Sequence, residues 1–162
     1  INFSPTTTSC ASWNTYDQDP PTANKVRDIL IGLTPPNTPP TIPTITAGQT
    51  PLEYIGGELG AAAWPALVDL FNAKKVDDPR APAPYTKCWN VKIPVYQESG
   101  TTCSNPSGSL LTVGFASACV FDVVNNPPTR DIKAMITCGE VTNGNGGGGN
   151  FGTLGSIPGL VE

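Results

Sequence analysis

The placement of proline is the feature that most restricts how this chain can fold. Proline fixes φ and lacks a backbone N–H, so it is excluded from helix interiors and central strands. The 162 residues include 18 prolines, and six of these fall between residues 35 and 51. We interpret that segment as an extended strap lying on one domain. A linker between two domains is the alternative, but the 33 residues before it hold too few apolar groups to form their own core.

Two segments flanking this strap carry the apolar spacing of a helix with one buried face. The repeating residues are Val26, Ile29, Leu30 and Leu33 in the first segment, and Trp64, Leu67, Val68 and Phe71 in the second. We expect the first helix over residues 24–33. The second helical signal extends over residues 52–75, with the pair Gly56-Gly57 indicating a short turn before its strongest part. Pro65 suits a first helical turn.

The remaining apolar pattern has the period of two residues that marks β-strands. The alternating residues are Trp89, Val91, Ile93 and Val95, then Leu111, Val113, Phe115, Cys119, Phe121 and Val123, and last Ile132, Ala134, Ile136 and Cys138. Turn residues separate these runs. We predict an α+β fold: an antiparallel β-meander of at least three strands packed by two short helices, with long Pro/Gly-rich irregular segments and disulfide staples. Pro94 places the first strand at an edge or bulge, where a partner can dock by strand addition.

The two ends of the chain differ from this body. Residues 1–23 are rich in Thr, Ser, Asp and Pro, and we predict an irregular arm fastened at Cys10 and Trp13. We take residues 1–141 as a single domain and residues 142–162 as a glycine-rich tether with an apolar tail. The apolar residues of the tail are Phe151, Leu154, Ile157 and Leu160. The tail either folds back on its own domain or reaches a partner, so these residues are candidate partner contacts.

The cysteines restrict the environment of the chain. They are Cys10, Cys88, Cys103, Cys119 and Cys138. No two form a C-x-x-C pair and the chain has no histidine, so disulfides in an oxidising compartment are favoured over a metal site. An odd number leaves one cysteine free, paired with another chain, or paired outside this sequence. The connectivity stays open, with the strand neighbours Cys88 and Cys119 slightly favoured.

The residue types that common catalytic mechanisms require are missing or poorly placed. Without histidine the chain lacks the commonest general base and the usual partner of Ser or Cys nucleophiles. Asp17-Gln18-Asp19 lacks the rest of a calcium-binding loop, and the glycine-rich residues 144–149 lack the Lys-Ser/Thr of a phosphate-binding loop. We therefore expect no enzyme activity, no cofactor and no metal.

Charge and hydropathy exclude two further classes of partner. The formal net charge is -4, and the nine Lys and Arg residues form no basic run, so nucleic acid and anionic membrane surfaces are disfavoured. No run of about 18 apolar residues is present, so we expect no direct membrane span in this chain.

Trp13, Trp64 and Trp89 could form an aromatic ligand surface, as in carbohydrate-binding modules, but we favour packing in the core.

One pair of predicted strands resembles a known family. The residues are Cys88-Trp89-Asn90-Val91-Lys92-Ile93-Pro94-Val95-Tyr96, followed after a loop by Leu111-Thr112-Val113-Gly114-Phe115-Ala116. They are similar to a "W-x-V-x-x-P-V" strand and a "V-G-F-A" strand in TadE/TadG-like Flp pilus-assembly proteins. A looser likeness includes Ala47-Gly48-Gln49 and the two helical segments, so that the resemblance covers about residues 10–140.

The resemblance implies an extracytoplasmic domain, an N-terminal membrane helix and no catalytic residues. The helix is absent from this sequence, and we expect an upstream signal or anchor segment. We therefore expect a non-enzymatic structural or interaction protein of the bacterial cell envelope, on its periplasmic or extracellular face. Its partners would be other envelope or membrane proteins. The alternatives are a periplasmic accessory subunit that stabilises a larger membrane protein complex, and a periplasmic ligand- or glycan-binding module.

Overall fold

A computed structural model describes eight ranges of the chain: residues 2–3, 12–15, 19–41, 45–46, 48, 51–56, 59–96 and 107–137. For residues 2, 3 and 137 it describes the backbone only. Three of the candidate disulfide cysteines, Cys10, Cys103 and Cys138, lie outside the described residues, as do the tether and the apolar tail. Predictions about those residues therefore remain predictions.

The described residues form two helices and seven strands. The helices are α1 (Ala23–Leu33) and α2 (Trp64–Lys74). The strands are β1 (Asn2–Phe3), β2 (Ser12–Trp13), β3 (Pro51–Gly56), β4 (Val76–Asp77), β5 (Lys87–Tyr96), β6 (Gly108–Asn126) and β7 (Thr129–Thr137).

The 19-residue strand β6 is the centre of an antiparallel sheet. It pairs with β5 and β7, its neighbours in sequence, so these three strands form the predicted meander. The sheet extends beyond these three strands, because β3 also pairs with β6, β2 pairs with β3, β4 pairs with β5, and β1 pairs with β7. The α+β class and the two packing helices are confirmed, and the meander describes only part of the sheet.

Helix α2 packs against one face of this sheet, which we call the helix face, and α1 packs against α2. Its buried core consists of Val26, Leu59, Ala63, Trp64, Leu67, Phe71, Ala118, Val120, Val123 and Ala134. Trp64 is fully buried, and its indole N–H donates to the Leu59 carbonyl at 2.9 Å. A Cβ added at Gly60 would clash with the Cβ of Ala23, so glycine allows the start of α1 to approach the turn before α2.

A second, smaller core lies around β3. It contains Ile45, Leu52, Tyr54 and Phe115 as buried residues. Phe115 pairs with Pro94 of β5, and the next pair along the strands is Ile93 with Ala116. Ile93 packs on the helix face. Because side chains alternate along a strand, Phe115 lies on the other face. The two cores therefore lie on opposite faces of the central strands, and Ile45 brings the proline-rich strap into contact with the smaller one.

The helical interpretation of the residues just after the strap is wrong. Residues 51–56 form β3 instead of helix, and α2 begins only at Trp64. Leu52 and Tyr54 are buried while the residues between and beside them are more exposed, which is the two-residue period of a strand. So short a run fits either period, and pairing with residues 108–111 of β6 decides for the strand.

The predicted apolar face of β6 also needs correction. The register shifts between Val120 and Asp122, and the pairing with β5 shifts between Val95 and Tyr96. Because each irregularity changes which side chains face a given side, strict alternation along all 19 residues fails. Val120 and Val123 both contact the helices, whereas Cys119 is registered with Asn90 on the opposite face.

Candidate interaction surface

A buried disulfide joins the two strands that carry the family resemblance. Cys88 and Cys119 are bonded, with both side chains fully buried and Cα atoms 5.2 Å apart. Cys119 is registered with Asn90, two residues beyond Cys88, so the bond links diagonal neighbours on adjacent strands. The favoured pairing of these two cysteines is confirmed. The bond fixes the beginning of β5 to the middle of β6.

Residues 78–86 connect β4 to β5, and we call them the proline loop. Asp78 receives bonds from the Arg80 side chain at 3.0 and 2.7 Å and from the Arg80 backbone N–H at 2.9 Å. Asn90 of β5 joins this network, donating to Asp78 at 3.0 Å and accepting from Arg80 at 2.6 Å. The network ties the loop to the sheet face opposite the helices, which we call the loop face.

The same contacts change the acidity of Asp78. Hydrogen bonds from Arg80, and then from Asn90, hold the pKa of the Asp78 carboxyl well below its ordinary value of 3.8. The carboxylate is therefore ionised throughout the neutral range and keeps the loop network intact there.

A second network ties the far end of the proline loop to β6 and β7. The Tyr85 hydroxyl donates to Asp122 at 2.9 Å, and Lys133 donates to the same carboxylate at 2.9 Å. Asp122 and Lys133 are registered partners just after the irregularity at Phe121. The bond and the charge of Asp122 raise the pKa of Lys133, so the lysine stays cationic and neutralises this carboxylate.

The two networks position an open cleft of about 290 Å³, where α2 ends and β5 begins. We call it the aromatic cleft. Its lining includes the rings of Phe71, Tyr85 and Phe121, with Lys75, Lys87 and Asp122 as charged members. The rings of Tyr85 and Phe121 lie 4.9 Å apart at a tilt of 45°. The volume is at the low end for ligand pockets, which suits one bulky side chain better than a cofactor.

Positive charge concentrates beside this cleft. Lys75 lies with its Nζ 4.8 Å from the centre of the Phe71 ring and donates to Asn72 at 2.7 Å. Lys74 ends α2 and Lys87 begins β5. No carboxylate among the described residues forms an ion pair with these lysines. Asp77 lies opposite Lys87 in the β4–β5 pair and offsets part of this charge.

The edge of β5 was the docking surface expected from the sequence. Within the described residues, β4 pairs with β5 only at Lys87 and Cys88, so the edge position of Pro94 is confirmed. Strand addition there remains a prediction. Pro94 removes a backbone donor and Lys92 is exposed, and both features discourage the pairing of a further strand.

The three tryptophans do not form an exposed aromatic surface. Trp64 is fully buried, and Trp13 and Trp89 pack against the core on the helix face. The described part of the chain also contains no group of three or more residues placed to hold a metal ion. None of its helices has the length and apolar character needed to cross a bilayer.

Sequence reasoning missed the residues that build the aromatic cleft. Tyr85 and Asp122 are 37 residues apart, and only the fold brings them together. A weak signal is Tyr85 directly after Pro79, Pro82 and Pro84, since an aromatic side chain in such a loop is expected to pack against the rest of the domain. Of the sequence-predicted site residues, the structure brings together Cys88 and Cys119; the others lie outside the described residues.

No known protein family, curated protein or solved structure matches this chain.

Proposed function

We propose that this chain is a non-enzymatic structural or interaction domain on the extracytoplasmic side of the bacterial cell envelope. It would resemble the corresponding domain of TadE/TadG-like Flp pilus-assembly proteins. Its partners would be other envelope or membrane proteins.

The covalently joined strand pair is the observation that carries this proposal. The strand containing Trp89, Pro94 and Val95 and the strand containing Val113 to Ala116 are the two segments that resemble the family. They are neighbours in the sheet, and the Cys88–Cys119 bond joins them. A disulfide buried in the sheet supports an oxidising location, because thiols are kept reduced in the cytosol.

The composition supports a binding role over a catalytic one. The chain has no histidine, and its charged residues are only 14% of the total. Asp122, which lines the aromatic cleft, and Asp78, in the proline loop, are each engaged with a basic side chain in a structural network. The tail residues Phe151, Leu154, Ile157 and Leu160 remain proposed partner contacts on sequence grounds alone.

The test is isolation of the protein from its native membranes in mild detergent, followed by sizing and mass spectrometry of what co-migrates. We expect a stoichiometric complex of envelope proteins. Pilus-assembly components in that complex would support the pilus role, and components of another membrane complex would support the accessory-subunit alternative.

Recovery of a free monomer would contradict the interaction function. The same preparation reports location, because trapping of free thiols shows whether Cys88 and Cys119 are oxidised in the cell. Reduced cysteines in a cytosolic fraction would contradict the envelope location.

A further inference from the structure

We propose that the aromatic cleft binds a peptide segment of a partner protein in which an apolar or aromatic side chain stands next to a carboxylate. This inference rests on the proposed interaction function and assigns to it one surface and one class of ligand.

The apolar half of the recognition comes from the three rings. Phe71 is almost fully buried and forms the inner wall, whereas Tyr85 and Phe121 are half-buried and keep part of their surfaces at the opening. Aromatic rings favour tilted contacts with a further ring and bury large area with little loss of side-chain entropy. One bulky side chain of a partner is therefore the best-matched occupant of about 290 Å³.

The charged half comes from the distribution of cations in an acidic chain. Among the described residues, Lys25, Arg27, Arg80 and Lys133 form ion pairs with carboxylates. Lys74, Lys75 and Lys87 form none with the described carboxylates, and two of them, Lys75 and Lys87, line the cleft. The negative end of the α2 dipole favours Lys74 and Lys75 at its C-terminus. Lys87 begins β5, so the helix dipole does not account for its position.

The acidic residues near the cleft do not cancel this charge completely. Asp122 is neutralised by Lys133 at 2.9 Å, and Asp78 by Arg80 at 2.7 Å. Asp77 lies opposite Lys87 and is exposed, so its effect is screened by water. A carboxylate on the ligand therefore meets two lysines, Lys75 and Lys87, on the rim.

The cleft is also held in shape before any ligand arrives. The Tyr85 hydroxyl is bonded to Asp122, the Asp78 network fixes the other end of the proline loop, and Lys87 directly precedes the bonded Cys88. A preformed site loses little conformational entropy on binding, so weak contacts of this kind can give measurable affinity.

The experiment titrates the ¹⁵N-labelled chain with the peptide acetyl-Gly-Phe-Glu-Gly-amide and follows the amide resonances by NMR. Matched peptides replace Glu by Gln or Phe by Ala. We expect the amides of Tyr85, Thr86, Lys87 and Phe121 to shift with the first peptide. The association constant should be about tenfold lower for either matched peptide, since each lacks one half of the recognition.

The double variant Lys75→Gln, Lys87→Gln should bind the acidic peptide about tenfold more weakly, since two charge-assisted contacts are lost. The control variant Lys92→Gln, on the same strand but outside the cleft, should bind normally. Lys87 and Lys92 are exposed and Lys75 is half-buried, and unchanged spectra elsewhere would show that the fold is intact.

Three results would overturn the proposal: equal binding of the Gln peptide, shifts centred away from the cleft, or no shifts at millimolar peptide. Equal shifts with inorganic phosphate alone would also overturn it, because they would show an anion site without peptide recognition. None of these results bears on the isolation of a native complex, which tests the interaction function independently of this surface.

Discussion

The helix face and the part of the loop face under the proline loop are held by different physical means. On the helix face, ten buried residues from both helices and the strands form an apolar core around Trp64. On the loop face, the proline loop is attached through hydrogen bonds to Asn90 and Asp122, beside a buried disulfide. Apolar burial is non-directional and sums over a large area, whereas the polar contacts fix particular atoms. We therefore expect the core on the helix face to contribute most to stability in this comparison, and the polar contacts of the proline loop to fix the shape of the cleft.

The largest effect is expected from removing the centre of the helix face. Trp64→Ala leaves a cavity under α2 and removes the bond to the Leu59 carbonyl, so the free energy of unfolding should fall by about 3 to 5 kcal/mol. Urea denaturation followed by circular dichroism measures this. Ile31→Ala, at a residue of α1 that is 47% exposed, is the control and should stay within about 0.5 kcal/mol. Equal losses for both would show that this core does not dominate stability.

The next largest effect concerns the covalent link on the loop face. Replacing both Cys88 and Cys119 by Ala releases a constraint across 31 residues and should lower the free energy of unfolding by about 2 to 5 kcal/mol. Urea denaturation under the same conditions gives the value. A double variant as stable as the parent would mean that the loop face contributes geometry alone, which would sharpen the contrast between the faces.

A smaller effect is expected where one hydroxyl holds the proline loop. Tyr85→Phe keeps the ring against Phe121 but removes the bond to Asp122, and should cost about 1 kcal/mol of stability. Tyr85→Ala is the matched comparison, because it also removes the ring contact and should cost more. If the two variants are equally stable, the contact of the Tyr85 ring with Phe121 contributes nothing to the free energy of unfolding. The hydroxyl bond would then be the whole contribution of this side chain.

The smallest expected effect is on how the free energy of unfolding depends on pH. The pKa of Asp78 is lower in the folded chain than its ordinary value of 3.8, so its contribution to stability is present above that value and is lost as the pH falls below it. Unfolding midpoints measured from pH 7 down to about pH 2 should fall more steeply for the parent than for Asp78→Asn. Parallel curves would show that the Asp78 network does not stabilise the fold.

The sequence predicted those parts of the fold whose signals are local or strongly periodic. Helix α1 begins at Ala23, within one residue of the prediction, because Thr22 caps it by accepting from the Lys25 backbone N–H. The meander and the Cys88–Cys119 pair follow from alternation and from the turns between strands. Strand β3 was missed because six residues fit either period and only pairing with β6 decides.

The candidate site was less accessible to prediction than the fold. The aromatic cleft depends on Tyr85 meeting Asp122 across 37 residues and on the irregularity that turns Phe121 toward the loop. Neither leaves a periodic trace in the sequence. Alternation of apolar residues is the only sequence signal for which face a strand residue occupies, and the bulge between Val120 and Asp122 interrupts it. The residues that shape the cleft are therefore the ones that the sequence pattern assigns least well.

The bond between Cys88 and Cys119 also determines how far this domain can be stretched. If tension is applied through the two ends of the chain, the residues between these cysteines are bypassed, and the load runs from β5 directly into β6. A separation of 31 residues at roughly 3.5 Å each means that about 110 Å of contour length stays hidden until the bond is reduced. A domain built this way yields under load only outside its cross-linked segment, which contains most of β5 and the first part of β6.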